Sequence, residues 1–140
     1  MNSQSFCSLY RQLNRETLSR DFLATCYASN VQFSDPLHQI NGIDALLDYF
    51  SAMYSNVSDI RFDFHNGYEQ SNQSLLRWTM VFRHPSLNGG NEITVEGCSE
   101  LVWQAGKIVK HQDFFDAGAL LYEHVPLLGW AIRKLKGRIA

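Results

Sequence analysis

The chain has 140 residues, a length that suits one hydrophobic core and one domain spanning 1–140. Its 12 Lys and Arg against 14 Asp and Glu give a formal net charge of −2 with both signs dispersed, which excludes the electrostatic footprint of a DNA- or RNA-binding domain. Aromatic residues reach 13 %, enough to line a cavity as well as to fill a core.

Cys7, Cys26 and Cys98 are odd in number and widely spaced, so they read as thiols in a reducing compartment rather than as disulfides or a metal knuckle. The opening Met-Asn-Ser-Gln-Ser lacks the basic and apolar regions of a signal peptide, and no run of about 18 apolar residues occurs. A cytoplasmic location is the expectation.

Phe6, Leu9, Tyr10 and Leu13 recur at helical spacing and predict a short amphipathic first helix. Asn14 is read as the N-cap of a second helix carrying Leu18, Phe22, Leu23, Cys26 and Tyr27. Val31-Gln-Phe-Ser-Asp-Pro36 alternates and stops at a proline, as a short edge strand does. Gly42 opens the clearest helix, in which Ile43, Leu46, Leu47, Phe50, Met53, Tyr54 and Val57 mark one buried face.

After Ser58 the apolar period changes from 3.6 to 2. Ile60, Phe62 and Phe64 form one alternating series, and Leu76, Trp78, Met80 and Phe82 a second. A third strand is expected from Glu92 to Trp103 and a fourth from Ile108 to Phe115, joined by the Gln104-Ala-Gly-Lys107 turn. Asp116 is placed to cap a last helix holding Leu120, Leu121, Val125, Leu128, Ile132 and Leu135, with Pro126 bending it or marking its restart. Its apolar face is expected to be buried over the open end of the domain or behind the sheet. The basic end, Arg133 to Arg138, also suits contact with an anionic membrane surface as a secondary reading.

Long antiparallel strands twist, and here they should curl around the helices. The expected fold is α+β, a cone-shaped curved antiparallel sheet wrapped around N-terminal helices. The core spans about 6–116, and an extra C-terminal helix spans about 117–138.

Three stretches carry a family resemblance: Val31 to Pro36 with the helix after it, the strand series, and His111-Gln-Asp-Phe-Phe-Asp116. They resemble the nuclear-transport-factor-2-like superfamily, cystatin-like α+β barrels, and within it the SnoaL-like polyketide cyclases and ketosteroid isomerases. The resemblance implies a general base at Asp35, where ketosteroid isomerases carry an Asp-Pro pair. It implies an oxyanion donor near Tyr10. The second oxyanion donor of those isomerases, an aspartic acid, falls near Ser99, a departure that speaks against steroid isomerisation. The SnoaL-like cyclases place an acidic base on the last strand, which corresponds to Asp113, with His111 two residues earlier. A homodimer through the outer sheet face is implied as well.

Read from the residues alone, each candidate has two roles open to it. Asp35 in an apolar cone is a base for a proton alpha to a carbonyl, or else a turn former that caps backbone amides. His38 orients Asp35 and shuttles its proton, or sits in a solvent-facing loop. His111 and Asp113, on one strand face with Val109 and Phe115, orient a ligand or satisfy each other. Tyr10 donates to an enolate or packs in the core. Phe64, Trp78 and Trp103 wall a pocket or fill a sheet face. Neither metal-ligand pairs at local spacing nor a phosphate loop is present, so no metal and no cofactor are expected. The leading functional expectation is a cofactor-free isomerase, cyclase or dehydratase acting on a small apolar carbonyl compound. The alternative is a non-catalytic ligand-binding or dimerisation module.

Overall fold

The computed structural model describes residues 3–120, 124 and 126–139. Helix α1 (Ser3–Gln12) buries Phe6, Cys7, Leu9 and Tyr10 along one side, as their spacing predicts. The next segment departs from expectation. Asn14 makes a tight turn, its Oδ1 accepting from the N–H of Glu16 at 2.8 Å and of Thr17 at 2.9 Å. Ser19 is the cap of α2 (Arg20–Ala24), accepting from Phe22 N–H at 3.0 Å. Cys26 and Tyr27 are not helical. Ile108 N–H donates to Cys26 O at 2.8 Å, and this sheet pairing draws the chain into β1 (Tyr27–Ser34).

Strand β1 is not an edge. It lies between β2 (Gln39–Asn41), a three-residue strand the sequence did not reveal, and β6 (Lys107–Phe115). Pro36 sits in the β1–β2 turn, outside the ladder that it could not join as a donor. Gly42 then adopts φ +89°, a conformation available at little cost only to glycine, and its N–H donates to Val31 O at 2.7 Å as α3 (Ile43–Asn56) begins. Arg15 closes the far end of α3, its Nε donating to Tyr54 O and its Nη2 to Val57 O, each at 2.7 Å.

Strands β3 (Asp59–Gln70), β4 (Gln73–Arg83), β5 (Ile93–Gln104) and β6 pair antiparallel in succession, as expected. Strand β6 then pairs β1 in parallel, giving the order β2-β1-β6-β5-β4-β3. The sheet curls but does not close, with β2 and β3 as its edges. Its concave side packs on α1–α3 through Phe6, Leu23, Leu46 and Phe50 against Leu101, Trp103 and Ile108. A second cluster, Val57, Trp78, Met80, Phe82, Ile93 and Val95, continues toward the open end. This is the expected cone of curved sheet and N-terminal helices.

A bulge in β6 corrects one face assignment. Val102 pairs with Lys110 but Trp103 with Ile108, so Val109 is the extra residue, and Ile108 and His111 both point inward. Asp116 caps α4 (Ala117–Leu120) by accepting from Gly118 and Ala119 N–H at 2.8 and 3.2 Å. The chain restarts at Pro126 as α5 (Pro126–Ile139), so the described C-terminal region is two helices rather than one. Leu121 and Val125 lie outside the described residues. Contrary to expectation, α5 does not bury its leucines. No described helix is long and apolar enough to cross a membrane.

Candidate functional site

Two polar clusters form inside the cone, fed by different elements. The first is a continuous chain across the core. Trp78 Nε1–H donates to Ser99 Oγ at 2.9 Å, and Ser99 O–H donates to Asp113 Oδ1 at 2.5 Å. His111 Nε2 lies 2.6 Å from the same Oδ1, and its Nδ1 lies 2.9 Å from Tyr27 OH. Tyr27 OH is in turn 2.8 Å from Tyr10 OH. With Asp113 a carboxylate, His111 donates to it from Nε2; in the neutral tautomer Tyr27 then donates to Nδ1 and Tyr10 donates to Tyr27. Protonating His111 would reverse both phenol bonds.

His111 is only 1 % exposed and stacks on the Tyr27 ring at 5.9 Å, while the Asp113 side chain is 19 % exposed. Burial pushes the Tyr10 phenol well above its usual range, with Tyr27 and then Asp113 adding in the same direction. Burial likewise dominates the upward shift of Tyr27, so both remain phenols and hydrogen-bond donors. Gly97 makes this geometry possible: a Cβ there would stand 2.3 Å from Cη2 of Trp78, whose indole lies across the glycine. Beside the chain is a void of about 10 Å³ lined by Phe6, Tyr10, Phe62, Phe64, Trp78, Ser99 and Asp113. That is room for about one water.

The second cluster is in the β1–β2 turn and on α3. Asp35 is almost wholly buried, its side chain 4 % exposed. Its Oδ1 accepts from the N–H of Leu37 at 2.8 Å and of His38 at 2.7 Å, and His38 Nδ1 lies 3.2 Å from it. Tyr49 O–H donates to Oδ2 at 2.6 Å. Burial first, then Asp35, drive the Tyr49 phenol upward, which keeps it a donor. The His38 and Tyr49 rings are 4.7 Å apart, and the His38 side chain is 47 % exposed.

Asp35, His38 and Tyr49 form a polar spot in a groove of about 480 Å³ between α3 and the sheet. Met53, Ile60, Met80, Phe82, Phe115 and Leu120 supply its apolar walls. The volume and the ratio of many apolar walls to few polar groups match those of small-molecule sites.

The structure therefore separates the sequence candidates. Asp35, His38 and Phe115 line the groove; Tyr10, Phe64, Trp78, Ser99 and Asp113 line the small void; His111 lines neither and links to Asp113. The turn-forming and mutual-satisfaction roles weighed for Asp35 and for the His111–Asp113 pair are both present in the hydrogen bonds. Tyr49 and Tyr27 were missed. Tyr49 follows Leu46 by three residues and precedes Met53 by four, so its helical position was a usable signal. Tyr27 had none, because its role depends on a strand more than 80 residues away. His84, which lines the groove and accepts from Ser86 N–H at 3.1 Å, was also not singled out. Among the described residues, no group of three His, Cys, Asp or Glu side chains is placed to hold a metal.

Comparison with known proteins agrees with this architecture. A hypothetical protein with a ketosteroid isomerase-like fold from Catenulispora acidiphila DSM 44928, solved in complex with trimethylamine, superposes with a TM-score of 0.72 at 11 % identity, over 85 % of this chain and 88 % of that one. A protein from Jannaschia sp. CCS1 assigned to the SnoaL-like polyketide cyclases gives 0.71 at 10 % identity, over 85 % and 88 %. One from Agrobacterium tumefaciens str. C58, assigned as an isomerase of the SnoaL-like family, gives 0.65 at 19 % identity, over 82 % and 94 %. No curated protein matches in sequence. At these identities the superpositions speak for the fold alone. The SnoaL-like domain model matches residues 8–111, from α1 to the buried histidine of β6, and the chain belongs to the SnoaL-like domain family.

Proposed function

We propose that the protein binds a small, mainly apolar carbonyl compound in the groove between α3 and the sheet and shifts a proton on it. The observation that carries this reading is the groove of about 480 Å³, whose apolar walls surround a nearly buried carboxylate with a histidine and a tyrosine held against it. Four donors occupy the two oxygens of Asp35, so its role is to hold His38, as a carboxylate orients a catalytic imidazole. With Nδ1 directed to Asp35, Nε2 of His38 takes the proton alpha to the carbonyl; it returns that proton to another atom of the enolate in an isomerase, to the oxygen of a second carbonyl that the enolate carbon attacks in a cyclase, or to a β-hydroxyl that leaves as water in a dehydratase. Asp113 is assigned no substrate contact, since the void it faces holds about one water.

A second reading, a ligand carrier without chemistry, draws support from one observation: protein donors already satisfy Asp35 on both oxygens and Asp113 on Oδ1. One experiment separates the two. With 1-tetralone and 2-indanone as probes in deuterated buffer, NMR reads binding by saturation transfer and chemistry by loss of the alpha-proton signal. Proton transfer predicts accelerated exchange that falls by about a hundredfold in His38→Gln while binding persists. Binding without exchange in the unaltered protein leaves the carrier reading. We also propose a homodimer through the outer sheet face, where Leu75 and Phe114 are exposed; sedimentation velocity at micromolar protein tests it.

A further inference from the structure

Helix α5 is turned the wrong way for a helix that ends in water. Leu127, Leu128, Trp130, Leu135 and Ile139 are 45 % to 84 % exposed. At 100° per residue, Leu127, Leu128, Leu135 and Ile139 fall within an arc of about 120°. Gly129, Arg133 and Lys136 cluster on the opposite side, within about 60° of one another. That opposite side faces the body of the protein: Gly129 is buried, Lys136 Nζ lies 3.4 Å from Asp116 Oδ2, and Arg133 lines a depression with Asn88, Glu92 and Thr94. An amphipathic helix normally points its apolar side at the core. Here the polar side is inward and the leucines are outward.

The charge on that helix indicates what covers the leucines. Arg133, Lys134, Lys136 and Arg138 lie in α5 with no acidic residue among its 14 positions. Set against the net −2 of the chain, these four cations leave −6 on the remainder. Lys134 and Arg138 flank Leu127 on the outward side, and Lys134 Nζ sits 4.9 Å above the Trp130 ring. An outward arc of leucines with two cations and one indole gathered along one side of it matches a helix that lies in the headgroup region with its apolar side in the acyl boundary. A second copy docking face to face through the same helix would bring Lys134 and Arg138 of the two chains together, so charge favours an anionic lipid surface.

We propose that α5 docks the protein on the surface of an anionic bilayer, with Leu127, Leu128, Leu135 and Ile139 inserted and Lys134 and Arg138 at the phosphates. The test is flotation of the full chain with vesicles of phosphatidylcholine alone and of phosphatidylcholine with about 30 % phosphatidylglycerol. Binding is expected to the anionic vesicles at low salt, to fall as salt shortens the Debye length, and to be weak on the neutral ones. Lys134→Glu with Arg138→Glu should weaken it at least about tenfold. Leu127→Glu with Leu135→Glu should abolish it, with circular dichroism checking that each variant is folded. Absence of binding to anionic vesicles, or equal binding to both kinds, overturns the proposal. It is equally overturned if the leucine variant abolishes a dimer seen by sedimentation while the unaltered protein ignores vesicles, because α5 then covers a second copy.

Discussion

The hydrogen-bonded chain from Trp78 to Tyr10 makes a quantitative demand on its last-but-one member, Tyr27. Tyr27→Phe removes one oxygen and leaves the ring that stacks on His111 in place. That oxygen serves two buried partners, Tyr10 OH at 2.8 Å and His111 Nδ1 at 2.9 Å, and both are left without it. A buried polar group deprived of its partner costs about 1–3 kcal/mol, so two such groups give about 4 kcal/mol as a central figure. Tyr10→Phe, at the end of the chain, removes a donor but leaves Tyr27 still donating to His111, and should cost about 1 kcal/mol. The double variant should cost less than the sum, because the Tyr10 hydroxyl is no longer there to be stranded. With a urea slope of about 2 kcal/mol per M, the midpoints fall by about 2 M for Tyr27→Phe and about 0.5 M for Tyr10→Phe. Equal losses in the two single variants, or strict additivity in the double, would refute the idea that Tyr27 is the shared link.

Three further outcomes follow from the same geometry. Gly97→Ala forces the Trp78 indole off its seat and breaks its bond to Ser99, so urea unfolding should show a loss of about 2–4 kcal/mol with altered near-ultraviolet circular dichroism; an unchanged spectrum and midpoint would contradict the packing. The Asp116 carboxyl is held below its usual range, chiefly by the Ala119 N–H and with help from Lys136, so the stabilisation from its cap is present above the ordinary carboxylate range and is lost as pH falls through the lowered folded value. Amide exchange at Gly118 and Ala119 should show an extra loss of protection over that acid window which Asp116→Asn, already uncapped by the charge, does not show. Burial pushes the Cys26 thiol up to about 11, leaving only about 0.1 % thiolate at pH 8. Iodoacetamide followed by mass spectrometry should then modify half-buried Cys98 before Cys26, and comparable rates would mean that Cys26 is accessible.

Which parts were legible in the sequence depended on how local their cause is. The face of α3 and the alternation of Ile60, Phe62 and Phe64 were readable because a helix and a strand write their burial period into adjacent residues. Asp116 was readable as a cap because its partners are two and three residues away. Asn14 misled for the same local reason: an Asx turn and an N-cap use the same side chain, and only Ser19 in place shows which is which. Val109 was assigned to the wrong face, since a bulge is a mismatch between two strands and is invisible in either one.

By itself, then, the sequence determined that helices precede a curved, mainly antiparallel sheet and that the family is SnoaL-like. Tertiary structure alone decided the surroundings of each candidate residue. Asp35 and Asp113, both legible as candidate bases, keep different company: Asp35 meets Tyr49 of α3 in a ligand-sized groove, and Asp113 meets Ser99 of β5 beside a one-water void. Only the fold could show that α5 turns its leucines outward. The physical reason is common to all three: periodicity reports that a residue is buried or exposed along its own element, whereas hydrogen-bond partners and the direction a face points are set by elements that meet only when the chain has folded.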